Sequence, residues 1–329
     1  MPSSTVFPGL SMPALSRLAV HNRRWASRMA TWRQLAPVPW QGVGLVLSPQ
    51  LRGLCETCLP VAEFYADLRC LAGCYLPSPS WTPSLLRGCQ YHTAAAIGPD
   101  VPPSLPDFWA TLPLALNHRV TYAPEELLAL FCALADPPRF GTDSGRYPAQ
   151  LARLASLFRS WPSGGRPLRL LDIGCGAGLN TLEIAAMGRE WLGDGLQVLG
   201  ITSEPLEAWM ARRRCLPHDP VRQRRLQRYG ADLPVEFAAS RFQDYVAPGL
   251  FDIIVCNGLA GGRFLCRRQD LDVFLETCLR SLQPRGSVFL ANHFHDGCRA
   301  SCEHLLERAR QRGLRVQGAW QDARLETPA

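Results

Sequence analysis

From residue 168 onward the chain repeats one pattern, and that pattern sets its architecture. Short apolar runs at 168–173, 196–201, 235–238, 251–256, 287–292 and 314–316 alternate with stretches of helical spacing at about 179–190, 204–215, 269–282 and 299–312. Runs this short are strands, and their nearly unbroken apolar character predicts burial on both faces. Strands alternating with helices of this length imply a parallel sheet with helices on both sides. Right-handed crossovers then make the carboxyl ends of the strands the ligand edge.

Upstream the periodicity is different. Helical spacing recurs at 61–76, 124–135 and 151–158, between proline-rich stretches at 76–83 and 99–106. Trp161-Pro-Ser-Gly-Gly-Arg-Pro167 breaks the chain before the first strand. This divides it into a poorly structured basic segment at 1–50 holding one helix near 14–34, a helical accessory region at 51–160 that shapes the substrate site, and an α/β domain at 161–329. At 47% apolar and 19% charged, 329 residues suffice for packed cores.

All 35 basic residues are arginine; the chain has no lysine. Six of them, with no acid, fall in the first 55 residues, so nearly all of the formal +7 lies there. A uniformly basic body is thereby excluded. A second basic stretch holds Arg212, Arg213, Arg214, Arg222, Arg224, Arg225 and Arg228 against Asp219 alone. It reads as a solvated helix face; contact with nucleic acid is the sharper alternative, but base-stacking aromatics are missing within it.

Thirteen cysteines without a signal-like apolar core in the first thirty residues point to a reducing, cytoplasmic setting. The acid-free, arginine-bearing start also fits an organelle-targeting segment, which is the alternative. No window of about 18 apolar residues predicts a membrane span. Cys55, Cys58, Cys70 and Cys74 form one group of candidate ligands, and His293, His295, Cys298, Cys302 and His304 another. Neither has finger spacing, so both read as packing and no metal is expected.

The first strand runs into Asp172-Ile-Gly174-Cys175-Gly176-Ala-Gly178-Leu179-Asn180, with a helix directly behind it. Glycines at alternate positions allow a tight turn and close approach of a ligand to the backbone. Leu179 stands where a dinucleotide fingerprint has its third glycine, which disfavours a pyrophosphate site. Further along come Gly200-Ile-Thr-Ser-Glu204 after the second strand, Ser240-Arg-Phe242-Gln-Asp244 after the third, Phe251-Asp-Ile-Ile-Val-Cys-Asn257-Gly on the fourth, and Leu282-Gln-Pro-Arg285-Gly before the fifth.

Over roughly residues 166–318 these features resemble the class I S-adenosylmethionine-dependent methyltransferases, and more loosely the chemotaxis-receptor carboxyl methyltransferases. The resemblance implies a Rossmann-like sheet with helices on both faces, behind a mostly helical N-terminal region, and S-adenosylmethionine as cofactor. It implies that Asp172, Gly174, Cys175, Gly176 and Gly178 meet the methionine end, Glu204 the ribose, and Phe242 and Asp244 the adenine. Asn257 falls beside the reacting methyl, to orient cofactor or acceptor or simply to cap a turn. His293 and His295 are candidate general bases. Tyr122 reads as packing or as an aromatic closing on the cofactor. The resemblance departs at Arg241, which stands where an adenine-binding acid is usual, and at Arg285, which replaces a glycine. The dozen residues after Val316 leave little room for a seventh strand. The expected acceptor is a small molecule or a protein carboxylate. The alternatives are RNA bound through the 212–228 arginines, and a non-catalytic module on the same fold.

Overall fold

The structure, a computed structural model, describes residues 11–36, 48–97, 103–138, 142–162, 165–230, 232–245, 251–262, 264–293 and 298–327. Contacts divide the chain into two units. One runs to residue 141 and includes 216–220; the other comprises 142–215 and 221–329.

The first unit is helical: α1 (Met12–Leu35), α2 (Pro49–Cys58), α3 (Val61–Tyr75), α4 (Thr82–Ile97), α5 (Leu105–Trp109) and α6 (Leu127–Ala135). Ser11 caps α1 by accepting from the Ala14 N–H at 3.3 Å. Leu18, His21, Trp25, Met29 and Trp32 then fall on one buried stripe. The Trp25 ring meets Phe64 edge-on at 4.9 Å, and its N–H donates to Asp67 at 2.7 Å. Arg24 and Arg28 on the other flank pair with Glu63 and Asp67 of α3. The one helix expected near 14–34 thus runs 24 residues, from Met12 to Leu35, and is packed. What its basic composition concealed is that its arginines meet acids more than thirty residues away. Tyr122 is 2% exposed and donates to the Arg119 carbonyl at 3.2 Å, so its role is packing within this unit.

The second unit begins with α7 (Pro148–Ser160), twenty residues before its first strand. Leu154 and Phe158 of α7 are buried against β1 (Leu168–Ile173), β2 (Leu196–Thr202) and α8 (Leu179–Leu192). At Gly188 of α8 a Cβ would lie 3.1 Å from the Phe158 ring and 2.6 Å from Leu196, so only glycine lets the two helices close. The boundary therefore lies near 141 and not at the Pro-Gly break after Trp161: that break is a connection inside the unit.

The remaining elements are α9 (Pro205–Arg213), α10 (Pro220–Leu226), β3 (Val235–Ala239), β4 (Phe251–Asn257), α11 (Arg268–Ser281), β5 (Leu282–Ala291), α12 (Arg299–Gln311), β6 (Arg315–Ala319) and β7 (Asp322–Glu326). They form one seven-stranded sheet of order β3-β2-β1-β4-β5-β7-β6. Strands β1 to β5 are parallel, and β7 is antiparallel to both neighbours. β4 shows why the apolar runs are unbroken. Ile253 and Val255 enter the layer below α7 and α8, while Ile254 and Cys256 enter the layer below α11 and α12.

The antiparallel edge is complete, although the tail appeared too short for it. Two five-residue strands joined by Trp320 and Gln321 fit within a dozen residues, and Gly318 at φ +91° accommodates the bend. At the start of β5, Arg285 holds φ +65°, a left-handed conformation that L side chains resist. Arg285→Gly is therefore expected to raise stability by up to about 1 kcal/mol, after allowing for glycine's extra freedom in the unfolded chain. A denaturant midpoint that falls would contradict this.

Candidate functional site

The turn after β1 is built by three left-handed glycines, Gly174, Gly176 and Gly178, at φ +78°, +55° and +86°. The Gly174 and Cys175 N–H groups both donate to the Ile201 carbonyl, at 2.8 and 3.0 Å, tying the turn to the end of β2. A Cβ at Gly174 would meet Leu259 at 2.9 Å, and one at Gly178 would meet Phe237 at 2.8 Å, so packing forces glycine there. Gly176 differs. Its missing Cβ would find only Glu207 Oε1, at 4.0 Å, which leaves a clear backbone face beside a carboxylate. Behind it the first turn of α8 presents unpaired N–H groups and the positive end of the helix dipole.

Asp172, 2% exposed, accepts from the Thr181 hydroxyl at 2.6 Å. Burial pushes its carboxyl up to about 6, with that hydrogen bond partly opposing. Next to it the Asn180 side chain is buried, and its Oδ1 makes no hydrogen bond among the described residues. A buried carboxyl and an amide oxygen without a hydrogen bond among the described residues, at one glycine turn, suit a polar ligand end carrying hydrogen-bond donors. The Cys175 thiol is held well above its ordinary range, first by burial and then by the Asp172 and Glu207 charges. It is a small packing group, not a nucleophile.

The carboxylate facing the turn is not the one the strand end suggested. Glu204 is the N-cap of α9 and accepts from the Leu206 N–H at 3.2 Å. Three residues on, Glu207 accepts from the hydroxyl of Thr202, the last residue of β2, and directs its other oxygen toward Gly176. A signal was present, since a carboxylate at N3 of a Pro-initiated helix lies near the preceding strand end. After β3, Phe242 is 9% exposed and packs edge-on against Phe274 at 5.6 Å, within the core cluster under α11 and α12. Asp244 stands exposed, with Arg241 at 3.9 Å.

Asn257 ends β4 buried, in a reciprocal amide pair with Gln150 of α7. Gln150 Nε2 donates to Asn257 Oδ1 at 2.9 Å, and Asn257 Nδ2 donates back at 2.7 Å. Its amide thus ties α7 to the end of β4. Tyr147, just before α7, brings its hydroxyl 3.3 Å from the Cβ position of Gly258 and stacks its ring on His293, with centroids 5.0 Å apart. His293 is exposed beyond β5, and its Nε2 lies 2.7 Å from the Arg146 carbonyl. His295 lies outside the described residues. Tyr147 and Gln150 were missed because they precede the Pro-Gly break and fell to the accessory region.

Of the seven arginines at 212–228, Arg213, Arg224 and Arg228 stand exposed, and the other four are engaged or buried within the fold. Arg212 donates to the Phe237 carbonyl, Arg214 to those of Tyr229 and Gly230, and Arg225 pairs with Asp143, while Arg222 is 4% exposed. Among the described residues, no three His, Cys, Asp or Glu side chains gather as a metal site. No helix among them is long and apolar enough to cross a membrane.

No family model matches the chain. A curated relative, the human mitochondrial ubiquinone biosynthesis O-methyltransferase, is 29% identical over 132 residues. That match covers 38% of this chain and 30% of the relative, so the chain spans less than a third of that protein's length. Among solved structures, the N-methyltransferase NodS of Bradyrhizobium japonicum WM9 with S-adenosylhomocysteine is 20% identical, covering 62% of this chain and 98% of that one, at a TM-score of 0.40. An Aquifex aeolicus methyltransferase is 16% identical, with 54% and 96% covered and a TM-score of 0.36. These structural likenesses are loose, and the fold assignment stands on the strand order and the glycine turn. By that strand order and that turn, the second unit has the Rossmann-like fold of the class I methyltransferases, and over 132 residues the chain is similar to an O-methyltransferase.

Proposed function

We propose that the protein transfers a methyl group from S-adenosylmethionine to an oxygen of a small-molecule acceptor. The observation that carries the cofactor assignment is the glycine turn: one clear backbone face at Gly176, set among Asp172, Asn180 and Glu207 at the carboxyl ends of β1 and β2. Asp172 and Asn180 would hold the methionine end, and Glu207, oriented by Thr202, would take the ribose hydroxyls while Glu204 caps α9. Asp244, exposed after β3, would meet the adenine. When bound, the cofactor supplies an activated methyl on a sulfonium. The protein's part is to hold the acceptor in line with it and to remove a proton.

The acceptor assignment draws on the curated relative, an O-methyltransferase, and on His293 at the same strand edge as Asn257. A carboxylate is already ionised near neutrality and has no proton to give, so a positioned base favours a hydroxyl acceptor over the protein carboxylate. Arg212, Arg214 and Arg225 of the basic window bind groups within the fold and Arg222 is buried, which favours a small-molecule acceptor over RNA.

Asp172 separates stability from function. Its raised folded-state pKa means that the folded chain keeps a proton between about pH 4 and 6 while the unfolded chain loses it. Stability from this group is therefore present at low pH and is lost as pH rises through about 6. Asp172→Asn is expected to be more stable than the wild type at pH 7 by on the order of 1–3 kcal/mol in denaturant unfolding, and to bind S-adenosylhomocysteine at least tenfold more weakly by calorimetry. A wild-type protein that gives no binding heat would defeat the methyltransferase reading. With methyl-labelled cofactor and a cell extract as the source of acceptors, label is expected in small molecules and to survive alkali; label released by alkali as methanol would point to a carboxylate acceptor.

A further inference from the structure

We propose that Arg146 and Tyr147 form a holder that makes Nδ1 of His293 the proton acceptor in methyl transfer; this rests on reading the second unit as a methyltransferase. A carbonyl oxygen only accepts. The 2.7 Å contact from His293 Nε2 to the Arg146 carbonyl therefore places the imidazole proton on Nε2 and leaves the lone pair on Nδ1. The Tyr147 ring, 28° from parallel and 5.0 Å from the imidazole, fixes the plane in which that lone pair points. Neither contact alone would do both: the carbonyl selects the tautomer, and the ring limits rotation about it.

The holder is itself held. Tyr147 is 5% exposed, and Gln150, one turn into α7, is locked to Asn257 at the end of β4. The residues before it are pinned one after another by different elements. Asp143 pairs with Arg225 of α10. The Ser144 hydroxyl lies 2.9 Å from that of Tyr229, and the Gly145 N–H donates to both Glu183 oxygens of α8 at 2.9 Å. Five consecutive residues, 143–147, each make a tie within the second unit, which is more than a linker between helices needs.

The step balances without a further reactant. An acceptor hydroxyl oxygen forms a bond to the methyl carbon, and the carbon–sulfur bond breaks with its electron pair returning to sulfur. The hydroxyl proton moves to His293 Nδ1. His293 is exposed, so the resulting imidazolium returns its proton to water.

The test uses the whole protein with S-adenosylhomocysteine and 15N-labelled histidine. The chain has 7 histidines, and the His293→Gln spectrum identifies the resonance. Neutral His293 in the wild type should show a single Nε2–H tautomer. Tyr147→Phe, which keeps the ring, should preserve it, whereas Tyr147→Ala should give a mixture of tautomers. Affinity for S-adenosylhomocysteine should stay within about twofold in both variants. An Nδ1–H tautomer in the wild type, or an Ala variant with the wild-type pattern, would overturn the holder. Absence of S-adenosylhomocysteine binding by the wild type would instead strike the methyltransferase reading, so the two failures are distinct.

Discussion

The second unit turns on a carboxyl group that its surroundings do not favour. Asp172 sits at the end of β1, an interior strand of the sheet, buried, with the Thr181 hydroxyl donating to it. A fold selected for stability alone would put an apolar residue or an amide there. The glycines next to it are consistent with this. Two are required because side chains press on them, while the third keeps a backbone face clear although nothing crowds it. Cost at one position and clearance at the next identify the edge where a ligand replaces missing protein contacts.

The same edge explains why α7 belongs to the sheet. A parallel strand end leaves backbone and side-chain polar groups facing outward, and at β4 that group is the Asn257 amide. Gln150 satisfies both its donor and its acceptor, so a helix that precedes the first strand in sequence closes one side of the site. Tyr147 and Arg146 are carried to β5 by that pairing. Burying an amide pair without loss requires both hydrogen bonds, and the geometry gives both.

Much of this was legible in the residues, for a reason that also marks its limits. Strands buried on two faces write their burial as an unbroken apolar run, so 168–173 and 251–256 needed no further signal. β7 reads Asp-Ala-Arg-Leu-Glu, where charged residues alternate with apolar ones, and a strand with one wet face near a terminus looks like a loop. Side-chain direction was the harder matter. Whether Phe242 covers a ligand or enters the core depends on a turn after β3 that no periodicity encodes. Glu204 and Glu207 lie three residues apart at a helix start, and capping geometry decides which one faces the ligand. Asn257 was placed correctly at its strand end, but its partner lay 107 residues away.

The arginine-only composition has the same consequence for charge. Lysine is a point charge, whereas a guanidinium offers several donors in a fixed plane and can join two acceptors at once. Arg24 bridges Glu63 and Asp67, and Arg214 bridges the carbonyls of Tyr229 and Gly230. Arg166 grips Asp252, whose Oδ2 also accepts the Arg169 N–H at 2.9 Å, joining the starts of β1 and β4. In such a chain a run of basic residues measures how many carbonyls and carboxylates need donors nearby before it measures affinity for an anionic partner. The 212–228 stretch is a case in point. Arg212 and Arg214 bind carbonyls, Arg222 is buried, and Arg225 anchors the segment that leads to Tyr147. The part of the positive charge carried by these four residues is thus bound up in the fold itself.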